Sequence, residues 1–363
     1  MNKLYQSLSA ILLTVALSSC TQAALQETVT SSSAEPTPII TSVPSVPENS
    51  QLTVHYIDVG QADASLIICD NSSMLIDGGN TADSNLIASY LKKQDISTLD
   101  YVVCTHAHED HVGGLSGALS VVNVKNVLAP EIEADTKAYN NFKNKTFEQG
   151  LTIQHPTHGD SFTLGSSTVQ IIGPITENTS DLNNSSIVLK LNYGDTSFLF
   201  TGDASYQEEQ DIINTGYDIS ADVLKVGHHG SDSSTSYVWL REIMPEYAVI
   251  SVGKSNTYGH PTETVLSRLR DADVKVYRTD LQGDIIAVSD GNTINITTEK
   301  NADIKTNETI AEPIEGGYIG NKNSKKFHKP DCRSLPAPKN RIIFSSRENA
   351  INAGYSACRN CNP

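Results

Sequence analysis

Short apolar runs alternate with amphipathic stretches between residues 52 and 298 of this 363-residue chain. A short apolar run predicts a strand, whereas apolar residues that recur every three or four positions predict a helix. The predicted strands are 52–59, 64–69, 73–76, 99–104, 126–129, 168–172, 187–192, 197–200, 221–226, 247–252, 274–277, 284–288 and 293–297. The predicted helices are 84–93, 204–214, 235–243 and 262–270. This mixture of adjacent strands and intervening helices predicts an α/β fold whose sheets lie between helices.

The first fifty residues follow neither pattern, and we expect them to lie outside the fold. Lys3 precedes an apolar stretch at 8–17, which has signal-peptide length and is too short to span a bilayer as a helix. The stretch ends in Leu-Ser-Ser-Cys at Cys20, which resembles a bacterial lipobox, where the cysteine becomes acylated. We therefore expect a lipoprotein signal peptide over 1–20 with lipidation at Cys20. The alternative is an ordinary signal peptide with an incidental cysteine.

Residues 21–50 are rich in Ser, Thr, Pro and Glu and have no apolar periodicity, which predicts a disordered tether. Residues 299–315 are also polar and predict a linker to a small module over 316–363. The module has two short ligand pairs with the spacing of a closed tetrahedral zinc site: His328, Cys332, Cys358 and Cys361. Structural zinc would stabilise a segment otherwise too small for a core. A disulfide plus one free thiol is the alternative.

The remaining cysteines and the charge limit the class of protein. Cys69 and Cys104 lie at strand ends in apolar surroundings, so we expect buried free thiols, with a disulfide as the alternative.

The net charge of −16 disfavours loose adsorption to nucleic acid or membranes, because such binding needs Lys and Arg to replace counterions. The C-terminal module is nevertheless locally basic, with Lys322, Lys325, Lys326, Lys329, Arg333, Lys339 and Arg341. This excess favours docking to DNA or another anionic polymer, although a basic solvated surface is the default interpretation.

The most specific signal directly follows the predicted strand 99–104. Four potential metal ligands fall within six residues there: His106, His108, Asp110 and His111. Imidazole and carboxylate suit zinc, manganese or iron, and a loop at a strand end can direct all four groups into one cleft. The spacing therefore predicts a metal centre.

This His-x-His-x-Asp-His pattern resembles the signature of the metallo-β-lactamase superfamily, whose fold is an αββα sandwich. Other segments, in the right order, resemble its competence-protein (ComEC/Rec2-type) branch: Asp58-Val59-Gly60-Gln61, Ile76-Asp77-Gly78-Gly79, Phe200-Thr201-Gly202-Asp203, Lys225-Val226-Gly227-His228-His229-Gly230-Ser231 and Tyr258-Gly259-His260-Pro261. The resemblance implies a hydrolase domain of that sandwich fold over 51–298. The module over 316–363 resembles one appended to extracellular bacterial nucleases and, loosely, the metal-binding domain of the Ada DNA-repair protein.

The resemblance implies two divalent ions, zinc or manganese. His106 and His108 would hold the first ion, and Asp110 and His111 the second. Asp203 would bridge the two ions. Asp110 would thereby also take part in catalysis.

Other residues would support this centre or contact the substrate. Either His229 or His228 would complete the shell of the second ion, with His229 favoured and the other histidine left to act on the substrate. Asp58 and Asp77 are expected to support ligands or to be structural, rather than to bind metal themselves, because metal-bound imidazoles usually need a carboxylate or carbonyl partner. His260 could hydrogen-bond a phosphate or protonate the leaving group, and a structural histidine before a helix is the alternative.

One departure from the superfamily pattern affects the first ion. Many members supply another histidine from mid-domain, where this chain has Asn-Asn-Ser-Ser at 183–186, as in the competence branch. His155 and His158 lie upstream in a polar loop and are predicted to be surface residues. The first ion would therefore have an open position, which weakens a β-lactamase interpretation. The candidate substrate contacts are Asn184, Ser185 and Ser231.

Two adjacent metal ions can turn a shared water into hydroxide near neutral pH, which then attacks phosphorus or a carbonyl carbon. The resemblance implies phosphodiester cleavage, so we predict an exported phosphodiesterase or nuclease that acts on DNA, nucleotides or phosphocholine-decorated wall polymers. The alternatives are a lactonase-like or β-lactamase-like carbonyl hydrolase and a non-catalytic cell-wall binding protein. We expect the lipid anchor to hold the protein to the extracellular face of a bacterial cytoplasmic membrane. No obligate protein partner is indicated.

Overall fold

The computed structural model describes residues 46–47, 50–176, 180–308, 317–344 and 347–363. The predicted signal peptide, Cys20 and nearly all of the predicted tether lie outside the described residues. Within the described ranges, no helix combines the length and the apolar character needed to cross a membrane.

All predicted strands and helices have counterparts in the structure. The strands are β1 Leu52–Tyr56, β2 Ser65–Cys69, β3 Ser72–Ile76, β4 Thr98–Val103, β5 Asn123–Leu128, β6 Ile153–Gln154, β7 Ser161–Leu164, β8 Ser167–Gly173, β9 Val188–Tyr193, β10 Thr196–Phe200, β11 Val223–Lys225, β12 Tyr247–Ile250, β13 Lys275–Arg278, β14 Ile285–Ser289, β15 Ile294–Thr298, β16 Tyr318–Asn321, β17 Lys326–His328, β18 Arg341–Phe344 and β19 Ser356–Ala357. The α-helices are α1 Ser84–Lys93, α2 Glu109–Val112, α3 Leu115–Val121, α4 Lys137–Glu148, α5 Tyr206–Thr215, α6 Tyr237–Ile243, α7 Glu263–Asp271, α8 Thr279–Gln282 and α9 Arg347–Asn352.

Two mixed sheets form the main domain. The first has the order β15-β14-β1-β2-β3-β4-β5-β6, and the second has the order β13-β12-β11-β10-β9-β8-β7. Strands β3 to β6 are parallel to one another, as are strands β10 to β13, and the remaining pairs in these two sheets are antiparallel. Parallel neighbours place their carboxyl ends at the same sheet edge. The loops that follow β4, β10 and β11 carry the predicted ligands, and the loop after β3 carries Asp77.

The two sheets pack face to face between layers of helices. Tyr56 of β1 stacks on Phe200 of β10, and Tyr101 of β4 stacks on Phe162 of β7 with ring centroids 4.1 Å apart. A second apolar cluster joins the outer face of the first sheet to α1, α3 and α4, and a third joins the second sheet to α5, α6 and α7. The predicted αββα sandwich is therefore confirmed.

Helix α4 shows where the sequence pattern failed. The sequence predicts no helix over 137–148, where Asn and Lys dominate and apolar residues are sparse. Thr136 caps the helix by accepting from the Tyr139 backbone N–H, and Tyr139 and Phe142 are fully buried. Tertiary packing of these two rings against the first sheet outweighs the weak helix propensity.

The C-terminal module has its own small sheet, in the order β18-β16-β17-β19. Its core consists of Phe327, Phe344, Ala350 and Tyr355. The start of the predicted linker is attached to the main domain, because Asn307 Nδ2 donates to the Leu266 carbonyl at 3.1 Å. At the other end of the fold, Val46 of the predicted tether already packs on the inter-sheet core. The packed chain thus extends slightly beyond the predicted boundaries at 51 and 298.

Candidate metal centre

The predicted ligands from three loops meet in one buried cluster. Asp203 lies between histidines that come from both sheets. Its carboxylate is 3.3 Å from His111 Nε2 and 3.9 Å from both His106 Nε2 and His229 Nε2. Asp110 closes the other side, with its carboxylate 3.3 Å from His229 Nε2. Three groups in the main domain have the spacing needed to hold a metal ion: His106, His111 and Asp203; Asp110, His111 and His229; and Asp63, Asp77 and His111.

The Nδ1 atoms of the three buried histidines are all engaged, so their Nε2 atoms face the cluster. His111 Nδ1 lies 2.8 Å from Asp77 Oδ2. His229 Nδ1 lies 3.0 Å from the Ser251 carbonyl oxygen, and His106 Nδ1 lies 3.2 Å from Thr105 Oγ1. Such partners fix the tautomer and orientation of a metal-binding imidazole. Asp77 thus has the supporting position that we expected for it.

His108 approaches the cluster through Nδ1, whereas the three buried histidines do so through Nε2. Its Nδ1 lies 3.0 Å from Nε2 of His106. His108 also lines the cleft, although it belongs to none of the groups with metal-binding spacing. The close approach of the two nitrogens places His108 at the edge of the cluster.

The buried polar atoms test whether the cluster suits metal ions. His111 Nε2, His229 Nε2 and one oxygen of Asp203 are buried and make no hydrogen bond among the described residues. Leaving such atoms without a partner costs about 1–3 kcal/mol each. A divalent cation would satisfy all three atoms together, so the residues fit the metal centre that their chemistry predicts.

The charges of the cluster favour cations. Burial alone would raise the pKa of Asp203, but the His111 and His229 imidazoles hold it well below its usual range. Burial would also raise the pKa of Asp110, but the neighbouring His229 has the larger effect and lowers this pKa to about 2. Burial lowers the pKa of His106 well below its usual value, and the nearby His111 lowers it further. The carboxylates therefore stay ionised and His106 stays neutral, which are the forms that bind metal. Burial alone would lower the pKa of His111 and of His229, but Asp203 raises both, that of His229 to about 10, so a bound cation would replace a proton at each of these imidazoles.

Unusual backbone conformations deliver the ligands. Gly202 has φ +50°, and a Cβ there would lie 2.9 Å from Ser186 Oγ and 3.0 Å from Thr105 Cβ. Glycine is therefore required for Asp203 to approach the loop that carries the first histidines. His228 and His229 both have positive φ, at 50° and 53°. The resulting tight turn directs the two neighbouring side chains to different places.

This turn separates the roles of the two histidines. His229 is fully enclosed in the group with Asp110 and His111. His228 is half-buried and faces the cleft, with its Nε2 3.6 Å from Asp203 and its Nδ1 3.1 Å from Ser233 Oγ. The placement agrees with our preference for His229 as the ligand and leaves His228 facing the substrate side.

The cluster opens into a cleft of about 520 Å³. All of its lining side chains are polar or titratable: Gln61, Asn80, His108, Glu109, Asp110, Asp203, His228, His229, Tyr258 and His260. The His260 backbone is held at both N–H and C=O by Asn256, whereas its buried Nδ1 has no hydrogen-bond partner among the described residues. Its side chain is therefore available to a substrate, which favours the contact role over the structural alternative.

The structure does not bring the three candidate substrate contacts to the cleft lining. Asn184 Oδ1 accepts from the Ser205 backbone N–H at 3.2 Å, and Ser185 Oγ donates to the Leu182 carbonyl at 2.7 Å. Ser231 is buried, and its hydroxyl pairs with Ser233. All three hydroxyl or amide groups are thus engaged in holding loops, and a sequence pattern cannot distinguish such a polar side chain from one that faces a ligand.

The other residues that the sequence singles out in the main domain lie outside the metal groups. Asp58 accepts from the Gly60 N–H and belongs to none of the metal groups, which agrees with the structural alternative. His155 and His158 are exposed, as predicted. Cys69 and Cys104 are buried and free of disulfides, as predicted.

A buried ion pair was missed in the sequence. Lys225 Nζ lies 2.7 Å from Asp63 Oδ2, and Asp63 Oδ1 lies 3.2 Å from His229 Nδ1. Ser186 was also missed; its Oγ accepts from the Asp203 N–H at 3.0 Å and lies 3.4 Å from His106 Nδ1. Lys225 lies within the segment that carries His228 and His229, and Ser186 lies within the Asn-Asn-Ser-Ser segment, and that position was the available signal.

The module brings its four predicted ligands together. One ligand atom from each of His328, Cys332, Cys358 and Cys361 lies within 4.8 Å of the others. His328 Nδ1 is 3.4 Å from Cys332 Sγ, and none of the three thiols is in a disulfide. The Cys₃His set matches a closed tetrahedral zinc site.

Comparisons with known proteins agree with the fold. Residues 57–254 match the family model of the metallo-beta-lactamase superfamily, and residues 315–363 match that of the metal binding domain of Ada. The chain therefore belongs to the metallo-β-lactamase superfamily and ends in an Ada-like zinc-binding module. Membership supports a metal-dependent hydrolase.

The similar proteins include competence proteins. ComE operon protein 3 of Bacillus subtilis is 31% identical over 255 residues, which are 65% of this chain and 33% of that protein. Competence protein ComA of Neisseria gonorrhoeae is 31% identical over 240 residues, which are 66% of this chain and 32% of that protein. Among solved structures, the metallo-beta-lactamase fold protein YhfI of Bacillus subtilis is 15% identical, covering 66% of this chain and 100% of its own, with a TM-score of 0.46. The chain spans about a third of the length of the curated relatives.

Proposed function

We propose that this hydrolase cleaves phosphodiester bonds with two divalent ions, zinc or manganese. The observation that carries the proposal is the Asp203 carboxylate, which is buried within 3.9 Å of the Nε2 atoms of four histidines, three of them buried, and has an oxygen without a hydrogen bond. A carboxylate in this position can bridge two cations. The proposed ligands of the first ion are His106, His108 and Asp203, and those of the second ion are Asp110, His111, His229 and Asp203.

Bound divalent ions would lower the pKa of a water molecule and offset the charge that develops on the phosphoryl oxygens. The chain itself positions the substrate. His228 faces the cleft beside Asp203 and can donate to a phosphoryl oxygen. Burial and the neighbouring His228 lower the pKa of His260 to about 4, so its imidazole is uncharged at neutral pH. A neutral imidazole still has one N–H, which suits His260 to a hydrogen bond with the substrate rather than to protonation of the leaving group.

The character of the cleft favours phosphodiesters over lactones or β-lactams. Its described lining has no aliphatic side chain, whereas a pocket for an apolar ring usually has mainly hydrophobic walls. Glu109 and Asp110 would repel a phosphate unless cations neutralise them, which couples substrate binding to the metal ions. Two similar proteins are named as a competence protein and a recombination protein, and these names are consistent with a nucleic-acid substrate.

We also propose export and anchoring through Cys20, which rest on the lipobox-like sequence alone. The module would hold structural zinc through its Cys₃His set. Its residues 317–363 contain nine Lys or Arg and two Asp or Glu, in a chain with a net charge of −16. This contrast suits the module to dock an anionic polymer, either DNA or a wall polymer, near the hydrolase domain.

The function is tested with full-length protein loaded with zinc or manganese. We expect turnover of bis-p-nitrophenyl phosphate and little turnover of γ-lactones, nitrocefin or thioesters. His228→Ala should lower kcat more than it changes metal content, whereas His158→Ala, which alters an exposed histidine, should change neither. Turnover confined to lactones or thioesters would move the protein to the carbonyl hydrolases. Bound metal without turnover on any of these esters would support the binding-protein alternative.

A further inference from the structure

An exposed aromatic ring lies at the mouth of the metal cleft. Tyr258 lines the cleft, and 67% of its surface is exposed. Its ring is nearly parallel to the His260 imidazole, with centroids 5.7 Å apart and an angle of 24° between the planes. The His260 ring in turn lies 5.7 Å from that of His228, whose Nε2 is 3.6 Å from Asp203. A row of three rings therefore leads from solvent to the metal cluster.

The loop that presents Tyr258 is fixed to the metal-binding turn. Pro261 packs so closely on Gly230 that a Cβ on this glycine would lie 2.6 Å from the Pro261 Cβ. The Thr262 N–H donates to the Gly230 carbonyl at 2.9 Å. Asn256 holds the His260 backbone from the other side. Tyr258 is thus exposed on a loop that is anchored next to His229, and its ring has a defined position.

A basic side chain of the module lies beside the same loop. A Cβ built on Gly259 would be 3.7 Å from Cδ and 3.9 Å from Nζ of Lys339. An aromatic face next to an ammonium group matches the alternation of bases and phosphates along a nucleic acid strand. Proteins that bind single strands combine stacking rings with a basic track in this way.

We propose that Tyr258 determines specificity by stacking on a nucleobase beside the scissile phosphodiester, while Lys339 contacts the adjoining backbone. This inference rests on the proposed phosphodiesterase activity and narrows its substrate to single-stranded nucleic acid, because a duplex buries its base faces. A choline group would require a cage of several aromatic rings. Among the described residues that line the cleft, Tyr258 is the one aromatic side chain besides the histidines, so a planar base fits better.

The test compares two substrates of equal charge. For the metal-loaded full-length protein, kcat/KM is measured on a thymidine decamer and on a decamer of abasic sites, and fluorescence anisotropy gives the two dissociation constants. We expect the wild type to prefer the thymidine decamer by roughly tenfold in both quantities, the usual effect of one stacked base. Tyr258→Ala should bring both ratios close to one, whereas Tyr258→Phe keeps the ring and should keep the ratios.

Tyr237→Ala, which removes an exposed tyrosine of α6, is the matched control and should keep the wild-type ratios. Lys339→Ala should weaken both decamers alike and reduce the log–log salt slope of binding by about 0.7, the value for one lost single-strand phosphate contact. A wild-type ratio close to one overturns the inference, as does an equal loss on both decamers in Tyr258→Ala. Higher turnover of p-nitrophenyl phosphorylcholine than of the thymidine decamer also overturns it. Failure of the proposed function is distinguishable, since bis-p-nitrophenyl phosphate would then not be cleaved, while the binding ratios would still test the role of Tyr258.

Discussion

The carboxylate of Asp77 lies 2.8 Å from Nδ1 of His111 and also accepts from both the N–H and the hydroxyl of Thr105. It therefore fixes the imidazole with Nε2 toward Asp203. Burial raises the pKa of Asp77, and the His111 imidazole opposes this shift. Since the carboxylate is enclosed, its hydrogen bonds determine how firmly the ligand is held.

Asp77→Asn should weaken metal binding in the main domain by roughly 10- to 100-fold, the usual effect of losing a carboxylate partner of a metal-binding histidine. The change is nearly isosteric, so the folded structure should persist. Asp70→Asn is the matched control, since Asp70 has the same positive φ and accepts from the Ser166 N–H far from the cluster. Metal affinity is measured by competition with a chromogenic chelator. Equal affinity in the Asp77→Asn variant and the wild type would contradict this role.

The ion pair between Lys225 and Asp63 gives a prediction for stability. Both side chains are almost fully buried, so Lys225→Met would leave the Asp63 carboxylate without its partner. Breaking a buried pair in this way costs about 3–5 kcal/mol. Lys190→Met is the control, because the partner of Lys190, Asp218, is largely exposed, and loss of such a pair costs about 1 kcal/mol or less.

Urea unfolding of the metal-loaded protein measures both effects. The double variant with Lys225→Met and Asp63→Leu should recover part of the lost stability, because no unpaired charge remains buried. A Lys225→Met variant as stable as Lys190→Met would show that the pair contributes little to the fold.

Residues close together in the sequence could be predicted to act together, whereas contacts between distant residues could not. The ligands at 106–111 could be predicted because one short loop carries all four side chains. Lys225 and Asp63 could not, since 162 positions separate two residues that meet only after the sheets pack. Asn184 and Ser185 were misplaced because polarity alone does not show whether a side chain faces a ligand or holds a loop. Helix α4 was missed because two buried rings, rather than a long apolar face, anchor it.

The zinc site of the module predicts the reactivity of its thiols. With zinc bound, Cys332, Cys358 and Cys361 should resist a thiol reagent, and a strong chelator should make all three reactive. Cys69 and Cys104 are buried and should stay unreactive in the folded protein. The measurement is a thiol titration of full-length protein with and without chelator, together with release of one zinc equivalent from the module. A disulfide would instead leave one reactive thiol in this group, whether or not chelator is present.

His55 gives a prediction for acid stability. It is buried against Tyr90, and burial, with a smaller effect of Lys93, lowers its pKa to about 4. Because the unfolded chain has the ordinary value of about 6.5, it binds the proton more readily as the pH falls from 6.5 to 4. Neutral His55 therefore contributes stability that is fully present above pH 6.5 and is lost on acidification.

We expect the unfolding free energy of the wild type to fall between pH 7 and pH 4.5 by about 2 kcal/mol more than that of His55→Gln. His158→Gln, which changes an exposed histidine, should show the wild-type pH dependence. The comparison uses urea unfolding at matched metal concentration, so that loss of metal in acid affects all variants alike. Identical pH profiles for His55→Gln and the wild type would contradict the assignment.

The central claim is that Asp203 bridges two metal ions that act together in phosphodiester hydrolysis. The most direct measurement titrates metal-depleted full-length protein with zinc or manganese while bound metal and bis-p-nitrophenyl phosphate turnover are followed together. We predict that activity requires two metal equivalents in the main domain, in addition to the zinc of the module. Asp203→Asn and His108→Ala should each lose metal binding and at least a hundredfold in kcat. A loss of this size is typical when a key source of electrostatic stabilisation is removed. Full activity with one equivalent, or unchanged activity in Asp203→Asn, would contradict the account.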